Sequence, residues 1–212
     1  MYMRRMLAMS VALVFPFIAA AQEAPPTAPV WNAPDFRLVV LGYFDAGTLD
    51  EFHRRVSRYD DMRRAIERTI VPLSVTENPD EITGFERALT ARIRESRGSS
   101  ARGQIFLPRM ATQLKTLFLA RVDADTLQAI MDDGPGEFDV DVNEAYAKHR
   151  SLATMPPNIL QLLPDLADDM EYRFVGRHLI LRDVRANMVV DEIPFALVCE
   201  PCVIRAREDG DR

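Results

Sequence analysis

Apolar side chains recur every three or four residues along two stretches in the first half of the chain, the pattern of an amphipathic helix. The first predicted helix begins at Thr48, because the Thr48 hydroxyl and the Glu51 carboxylate have the spacing of a capping box. Its apolar stripe consists of Leu49, Phe52, Val56, Tyr59, Ile66 and Ile70. The second predicted helix begins after the cap residue Asn78, with Pro79 at its first position, and ends at Gly98.

The middle of the chain predicts shorter elements. Pro108 opens a third helix, and a fourth, from Thr126 to Met131, follows the cap candidate Asp125. The run 137–143 alternates between apolar and polar residues, which predicts a half-buried strand. Its solvent-facing positions would be Asp139, Asp141 and Asn143. Ahead of the first helix, the apolar run 36–44 is compatible with a short strand or with a buried turn of helix.

The C-terminal third is rich in strand signals. The segments 171–175 and 178–182 flank Gly176 and Arg177, and glycine in the first of two turn positions favours a type II′ hairpin. Ala186 and Asn187 then turn the chain into a third strand over 188–193. Helices followed by antiparallel strands define an α+β fold, in which an N-terminal helical region packs with a three-stranded meander.

The N-terminus has the parts of a secretory signal peptide. Arg4 and Arg5 precede an apolar run over 6–20, and the small residues Ala19 and Ala21 predict cleavage after Ala21. The run is too short to cross a bilayer, and no later stretch is long enough, so we expect an exported, soluble protein in the periplasm or outside the cell. The expected organisation is a signal peptide over 1–21, a proline-rich spacer over 22–35, a single α+β domain over 36–197 and a C-terminal tail over 198–212.

The charge balance argues against nucleic acid as a partner. The chain has 26 basic and 32 acidic residues, and cleavage would remove Arg4 and Arg5 and change the net charge from −6 to −8. Nucleic-acid affinity depends on neutralising phosphates, which a strongly acidic chain does poorly. Hydrophobic residues make up 48% of the chain and charged residues 27%, which is typical of a folded globular protein.

Basic and acidic residues are concentrated in two separate segments of the chain. Residues 87–109 carry six arginines and one glutamate, whereas residues 123–144 carry eight acids and no base. Guanidinium groups suit phosphate and carboxylate, so the basic segment could bind an anionic ligand. The two segments could also be solvated faces that attract one another. The candidate ligand-binding residues are Arg87, Arg92, Arg94, Arg97, Arg102 and Arg109.

Other chemistry-bearing residues are sparse. Cys199 and Cys202 form a CxxC pair in the tail, which in an oxidising compartment favours a structural disulfide. The alternatives are free or intermolecular thiols, a redox dithiol, or half of a metal site. Asp139, Asp141 and Asn143 match the start of a calcium loop, but Glu144 and Arg150 stand where its glycine and bidentate glutamate are required. We therefore predict no metal and no cofactor. The clustered candidates for acid–base catalysis are Asp165, Asp168 and Asp169.

Two groups of residues carry a family resemblance. They resemble a group of uncharacterised exported bacterial proteins. The first group is Gly103-Gln104-Ile105-Phe106 with Pro108. The second runs from the prolines around 156 and 164 through Glu171-Tyr172-Arg173-Phe174-Val175-Gly176-Arg177-His178-Leu179-Ile180-Leu181 to Asp183-Val184-Arg185-Ala186-Asn187 and Val190-Asp191. The resemblance covers residues 46–194 and implies this fold, without an activity. The terminal hairpin alone is also similar to small periplasmic proteins implicated in nickel and cobalt homeostasis, through Tyr172, Val175, Gly176, Leu179 and Leu181.

Three classes of function follow from these observations. The leading hypothesis is a non-enzymatic binding or structural protein, whose arginine-rich helical region contacts a protein partner or an anionic component of the cell envelope. The second is an enzyme of the envelope that uses scattered acids such as Asp165, Asp168 and Asp169. The third is a thiol- or metal-handling protein that uses Cys199 and Cys202.

Overall fold

The fold is known from a computed structural model that describes residues 42–99, 102–134, 136, 139–150 and 152–197. The helices are α1 (Ala46–Glu67), α2 (Pro79–Arg97), α3 (Pro108–Arg121), α4 (Ala124–Asp133) and the short α5 (Pro157–Leu160). The strands are β1 (Met170–Val175), β2 (His178–Asp183) and β3 (Met188–Ile193). Helices precede a three-stranded antiparallel sheet, which confirms the predicted α+β class. None of the helices described is both long and apolar enough to cross a membrane.

Helix α1 begins two residues before the predicted start, because Asp45 rather than Thr48 caps it. Asp45 accepts hydrogen bonds from the Thr48 amide at 2.9 Å and from the Thr48 hydroxyl at 2.7 Å. These bonds, together with one from the Gln113 amide group, lower the pKa of Asp45 from 3.8 to about 2. The capping-box prediction was therefore wrong in detail: Thr48 lies inside the first turn and contacts the cap instead of acting as one.

Predicted boundaries of the other helices agree with the structure more closely. Asn78 caps α2 through a bond from the Asp80 amide, and Gly98 ends the helix with a φ of 58°. Pro108 is the first residue of α3, as predicted. For α4 the cap is Asp123, whose side chain accepts from the Thr126 amide at 2.8 Å. Asp125 lies in the first turn, so its choice as the cap was wrong by two residues.

The meander forms as predicted. Strand β2 pairs with β1 and β3, both antiparallel, and the register opposes Tyr172 to Leu181 and Leu181 to Asp191. Gly176 adopts a φ of 53° at the first position of the β1–β2 turn, the conformation for which a glycine was expected there. Asn187 has a φ of 48° in the turn before β3.

Both faces of the sheet are buried. One face packs against α1, α2 and α3 in a core that contains Phe52, Leu89, Leu114, Phe174 and Leu181. The other face contributes Val175, Ile180 and Val189 to a smaller cluster with Val140 and Tyr146. The sheet is thus the central layer of the part that the structure describes.

We predicted a strand over 137–143, but none of the described residues in this range belongs to a strand. Glu137 and Phe138 lie outside the described residues, and 139–142 have no regular strand structure. Asn143, expected to face solvent, is buried with a φ of 70°, and its amide donates to the carbonyl of Val189 at 2.8 Å. Instead of extending as a strand, the chain turns at Asn143. The residues that follow make a short bridge to β3, between Ala145 and Met188.

Candidate functional site

The six arginines of the predicted ligand site do not converge on one place. Four of them face carboxylates: Arg92 with Glu95 at 3.4 Å, Arg94 with Glu144 at 2.6 Å, Arg102 with Glu192 at 2.6 Å and Arg109 with Asp45 at 3.1 Å. The pair between Arg94 and Glu144 joins the basic segment to the acidic one, which accords with attraction between two charged faces. Arg87 is exposed and lines a different cavity from Arg97.

Arg97 belongs to a cleft that the sequence did not reveal. The cavity has a volume of about 440 Å³ and lies between α1, the last residue of α2 and the loop that follows α2. We call it the arginine cleft. Its lining residues are Arg55, Arg58, Tyr59, Met62, Arg97, Gln104 and Ile105. Three of the seven carry a guanidinium group, and none carries a carboxylate.

Helix α1 supplies one complete wall of the arginine cleft. Arg55, Arg58, Tyr59 and Met62 are spaced by three, four and seven residues, so they share one face of the helix. Tyr59 is buried, as its place in the apolar stripe predicted, whereas Arg58 is exposed. The helix therefore contributes two guanidinium groups and a buried aromatic side chain to the lining of the cleft.

Arg97 is held rigidly at the opposite wall. Its Nη1 donates to the carbonyl of Val190 at 3.0 Å, and its Nη2 donates to the side-chain oxygen of Gln104 at 3.3 Å. The guanidinium carbon lies 5.4 Å from the centre of the Tyr59 ring, within the range of a cation–π contact. Burial lowers the pKa of Arg97, although the neighbouring Tyr59 and Asp191 act against that effect. A partly buried cation of this kind gains from an anion placed beside it.

Arg55 and Arg58 differ in the hydrogen bonds and ion pairs that they form with other described residues. Arg55 pairs with Glu51 at 2.5 Å and donates from Nη1 to the carbonyl of Gln104 at 2.6 Å. Arg58 makes no hydrogen bond or ion pair with any residue in the described part of the chain. Among the described residues that line the cleft, Arg58 is thus the arginine whose guanidinium group has no hydrogen-bond or ion-pair partner.

A buried carboxylate fixes the loop that completes the cleft. Asp191 on β3 is inaccessible to solvent and accepts hydrogen bonds from four backbone amides. The donors are Gly103 at 2.7 Å, Ile105 at 2.6 Å, Phe106 at 2.8 Å and Glu192 at 2.8 Å. This arrangement satisfies donors that would otherwise be buried without partners. Asp191 thereby sets the position of Gln104 and Ile105 in the cleft.

The neighbouring Glu192 fixes the other end of the same loop. Its Oε2 accepts from Nε of Arg102 at 2.8 Å, and its Oε1 lies 2.5 Å from Nδ1 of His178. The imidazole ring packs against Phe195 with ring centres 4.9 Å apart. Arg102, one of the predicted ligand residues, is thus used to tie the loop to the sheet.

A second buried network lies behind Tyr59. The Tyr59 hydroxyl donates to Asp183 at 2.8 Å, and Asp183 also accepts from the Ala186 amide at 2.8 Å. Arg63, which is 1% exposed, donates to Asp60 at 2.6 Å and has its Nε 3.6 Å from Asp183. At 3.6 Å, Arg63 and Asp183 form an ion pair, but their atoms are too far apart for a hydrogen bond. Together these groups fasten α1 to the end of β2.

Burial determines the protonation of this network. It raises the pKa of Tyr59 well above 10, and the charge of Asp183 adds to that effect, so the phenol stays protonated and donates. Burial also raises the pKa of Asp183 from 3.8, although the Ala186 amide and the Tyr59 hydroxyl oppose the shift. Tyr59 is consequently a fixed wall of the cleft rather than a group that exchanges protons at neutral pH.

The candidate catalytic acids lie elsewhere. Asp168 and Asp169 face arginines on α1, with Asp168 3.8 Å from Arg64 and Asp169 3.4 Å from Arg63. Asp165 is exposed in the loop before β1. None of the three lines the arginine cleft. Their position is that of a polar loop in contact with α1.

The cysteine and metal hypotheses concern other parts of the chain. Cys199 and Cys202 lie outside the described residues, as do the signal peptide over 1–21 and the spacer over 22–35. Among the residues that the structure covers, no group of three or more histidines, cysteines or acids is arranged to hold a metal ion. Asp139 and Asp141 are exposed, in agreement with their predicted solvent-facing positions.

Comparisons of the chain with protein-family models, with curated proteins and with solved structures found no match.

Proposed function

We propose that the protein is an exported binding protein whose arginine cleft holds a ligand through an exposed carboxylate or phosphate group. One observation carries this proposal: three guanidinium groups and no carboxylate line a single cavity of about 440 Å³. Planar guanidinium groups match both kinds of oxyanion with paired hydrogen bonds. The volume lies within the range of small-ligand sites.

The site is better suited to binding than to catalysis. Its lining side chains are arginine, tyrosine, methionine, glutamine and isoleucine, and the pKa of the tyrosine, Tyr59, is raised well above 10 by burial. General acid–base catalysis needs a group that exchanges its proton near the working pH. The lining offers charge complementarity and an apolar floor, which are the properties of a recognition site.

Arg58→Ala is expected to weaken binding of inorganic phosphate and of citrate by at least about tenfold, because Arg58 is the cation with no competing partner among the described residues. Isothermal titration calorimetry at low ionic strength measures the effect, and added salt should weaken binding to the unmodified protein.

Arg68→Ala is the matched control, since Arg68 is also exposed, at the end of α1, but does not line the cleft. Binding that stays unchanged in Arg58→Ala would contradict the proposal. Equal weakening by both substitutions would also contradict it, because it would assign the effect to the overall charge of α1.

Export is the second part of the proposal, and it rests on the sequence of residues 1–21. We expect the protein isolated from its native cells to begin at Gln22, as determined by N-terminal sequencing of periplasmic and culture fractions. A chain that retains Met1 in those cells would contradict export by a cleaved signal peptide.

Membership of the uncharacterised exported group is proposed as well. Two of the motifs that carry the resemblance are in direct contact, because Asp191 accepts hydrogen bonds from Gly103, Ile105 and Phe106. A motif pair that holds the cleft loop in place gives a physical reason for the two to occur together. It supports the resemblance without assigning an activity.

A further inference from the structure

An apolar groove lies on the side of α2 that faces solvent. It has a volume of about 740 Å³ and runs between α2 and the connection from α1. Phe85 forms its buried floor, while Ala88 and Ala91 are exposed along α2. The connection contributes Ile70 and Leu73, both partly buried against the core.

Two large apolar side chains are exposed on the connection beside this groove. Val71 is 85% exposed and lines the groove, and Val75 on the same connection is fully exposed. A side-chain carbon added at Gly84 would meet nothing within 4 Å, so the space above the helix is open. Contiguous exposed apolar groups beside an open groove are typical of an interaction surface.

Charges at the two ends of the groove indicate what covers it. Glu81 and Arg92 both line it and are separated by eleven residues of α2, about 16 Å along the helix axis. Glu81 accepts a hydrogen bond from the Asn78 side chain at 3.0 Å but has no ion pair with another described residue. Arg92 has a long contact with the exposed Glu95 at 3.4 Å. The groove therefore carries a negative end and a positive end.

We propose that a second copy of this chain covers the groove, with the two α2 helices packed antiparallel about a two-fold axis. Such an axis, crossing α2 midway between Glu81 and Arg92, places Glu81 of each copy against Arg92 of the other. The same axis brings the exposed Ala88 of one copy close to Gly84 and Phe85 of the other. Apolar contact is thus at the centre and ion pairs are at the rim, as in known interfaces.

Sedimentation velocity over a range of concentrations tests the proposal on the whole protein. The unmodified protein is expected to dimerise, and Glu81→Arg or Arg92→Glu alone should raise the dissociation constant at least about tenfold, because like charges then oppose each other. Combining Glu81→Arg with Arg92→Glu should return the constant to within about threefold of the original value.

Arg87→Glu is the control, since Arg87 is exposed on the same helix and does not line the groove. Circular dichroism confirms that each variant is folded. A monomer at every accessible concentration would overturn the proposal and leave the groove to another partner. Single reversals without effect, or a double variant that is not rescued, would overturn it as well. Neither residue lines the arginine cleft, so either result leaves the proposed anion binding untouched.

Discussion

Asp191→Asn is expected to lower the free energy of unfolding by about 3–5 kcal/mol. Each carboxylate oxygen of Asp191 accepts from two backbone amides, and of the four donors only the Gly103 amide is partly exposed. An asparagine keeps one of those oxygens and places an NH2 group against the other pair of donors. Two amides and the new NH2 group are then buried without acceptors. Urea denaturation followed by circular dichroism measures the loss.

Asp61→Asn is a suitable control for this experiment, because Asp61 is exposed on α1 and should change stability by no more than about 0.5 kcal/mol. The Asp191 variant should also bind phosphate less well, since Gln104 and Ile105 lose the contact that positions their loop. A loss of stability below about 1 kcal/mol would mean that the loop re-forms its hydrogen bonds elsewhere, contrary to our expectation.

Arg63→Met should cost about 3–5 kcal/mol, the range observed when one partner of a buried ion pair is removed. Although burial alone would lower the pKa of Arg63, its bond to Asp60 and the charge of Asp183 raise it overall, so the group is a cation in the folded protein. Without it, Asp183 stays buried with no neighbouring positive charge from α1. Chemical denaturation at pH 7 measures the change.

The pH dependence of this variant provides a second check. The pKa of Asp183 is raised in the folded protein. A carboxyl whose pKa is higher in the folded than in the unfolded chain contributes its full stability at a pH below the unfolded pKa. That contribution is lost as the pH rises through the pKa of the folded state. Removing Arg63 raises that pKa further. The deficit of Arg63→Met should therefore be greatest at neutral pH and shrink towards about pH 4.

Arg68→Met serves as the comparison, since Arg68 is exposed at the end of the same helix. A deficit that does not change with pH would contradict a role for the Asp183 charge. An equal deficit in Arg68→Met would show that the loss comes from the helix surface and not from the buried network.

The elements that were predicted well are those whose signals are local. Gly176 and Arg177 specify a hairpin within two residues, and Pro79 and Pro108 mark helix starts by their fixed backbone angle. The cap of α1 was misplaced because Asp45 and Thr48 are both good cap residues. Tertiary contacts, including the bond from Gln113, favour Asp45.

The candidate site was predicted much less well, because its parts meet only through the fold. Arg97 was singled out for the charge density around it, yet its partners in the cleft, Arg55 and Arg58, come from about forty residues earlier. Helix α1 carries several arginines, and nothing local distinguishes the two that face the cleft. The sequence does contain a local indication of Arg63, because this residue lies between Tyr59 and Ile66 at a position of the apolar stripe where an apolar side chain would be expected.

The contacts of Asp191 also determine when the loop of the arginine cleft can be held in place. The loop residues that it holds precede it by 85–88 positions, so the loop receives its acceptor only after β3 has been made. Contacts so distant in sequence form late and slow down folding. During synthesis from the N-terminus, all the lining residues of the cleft, from Arg55 to Ile105, would be present long before the strand that holds the loop of Gln104 and Ile105 in place. The anion binding that we propose would thus depend on β3, because a chain that stops before Asp191 has the lining residues but lacks the carboxylate that positions their loop.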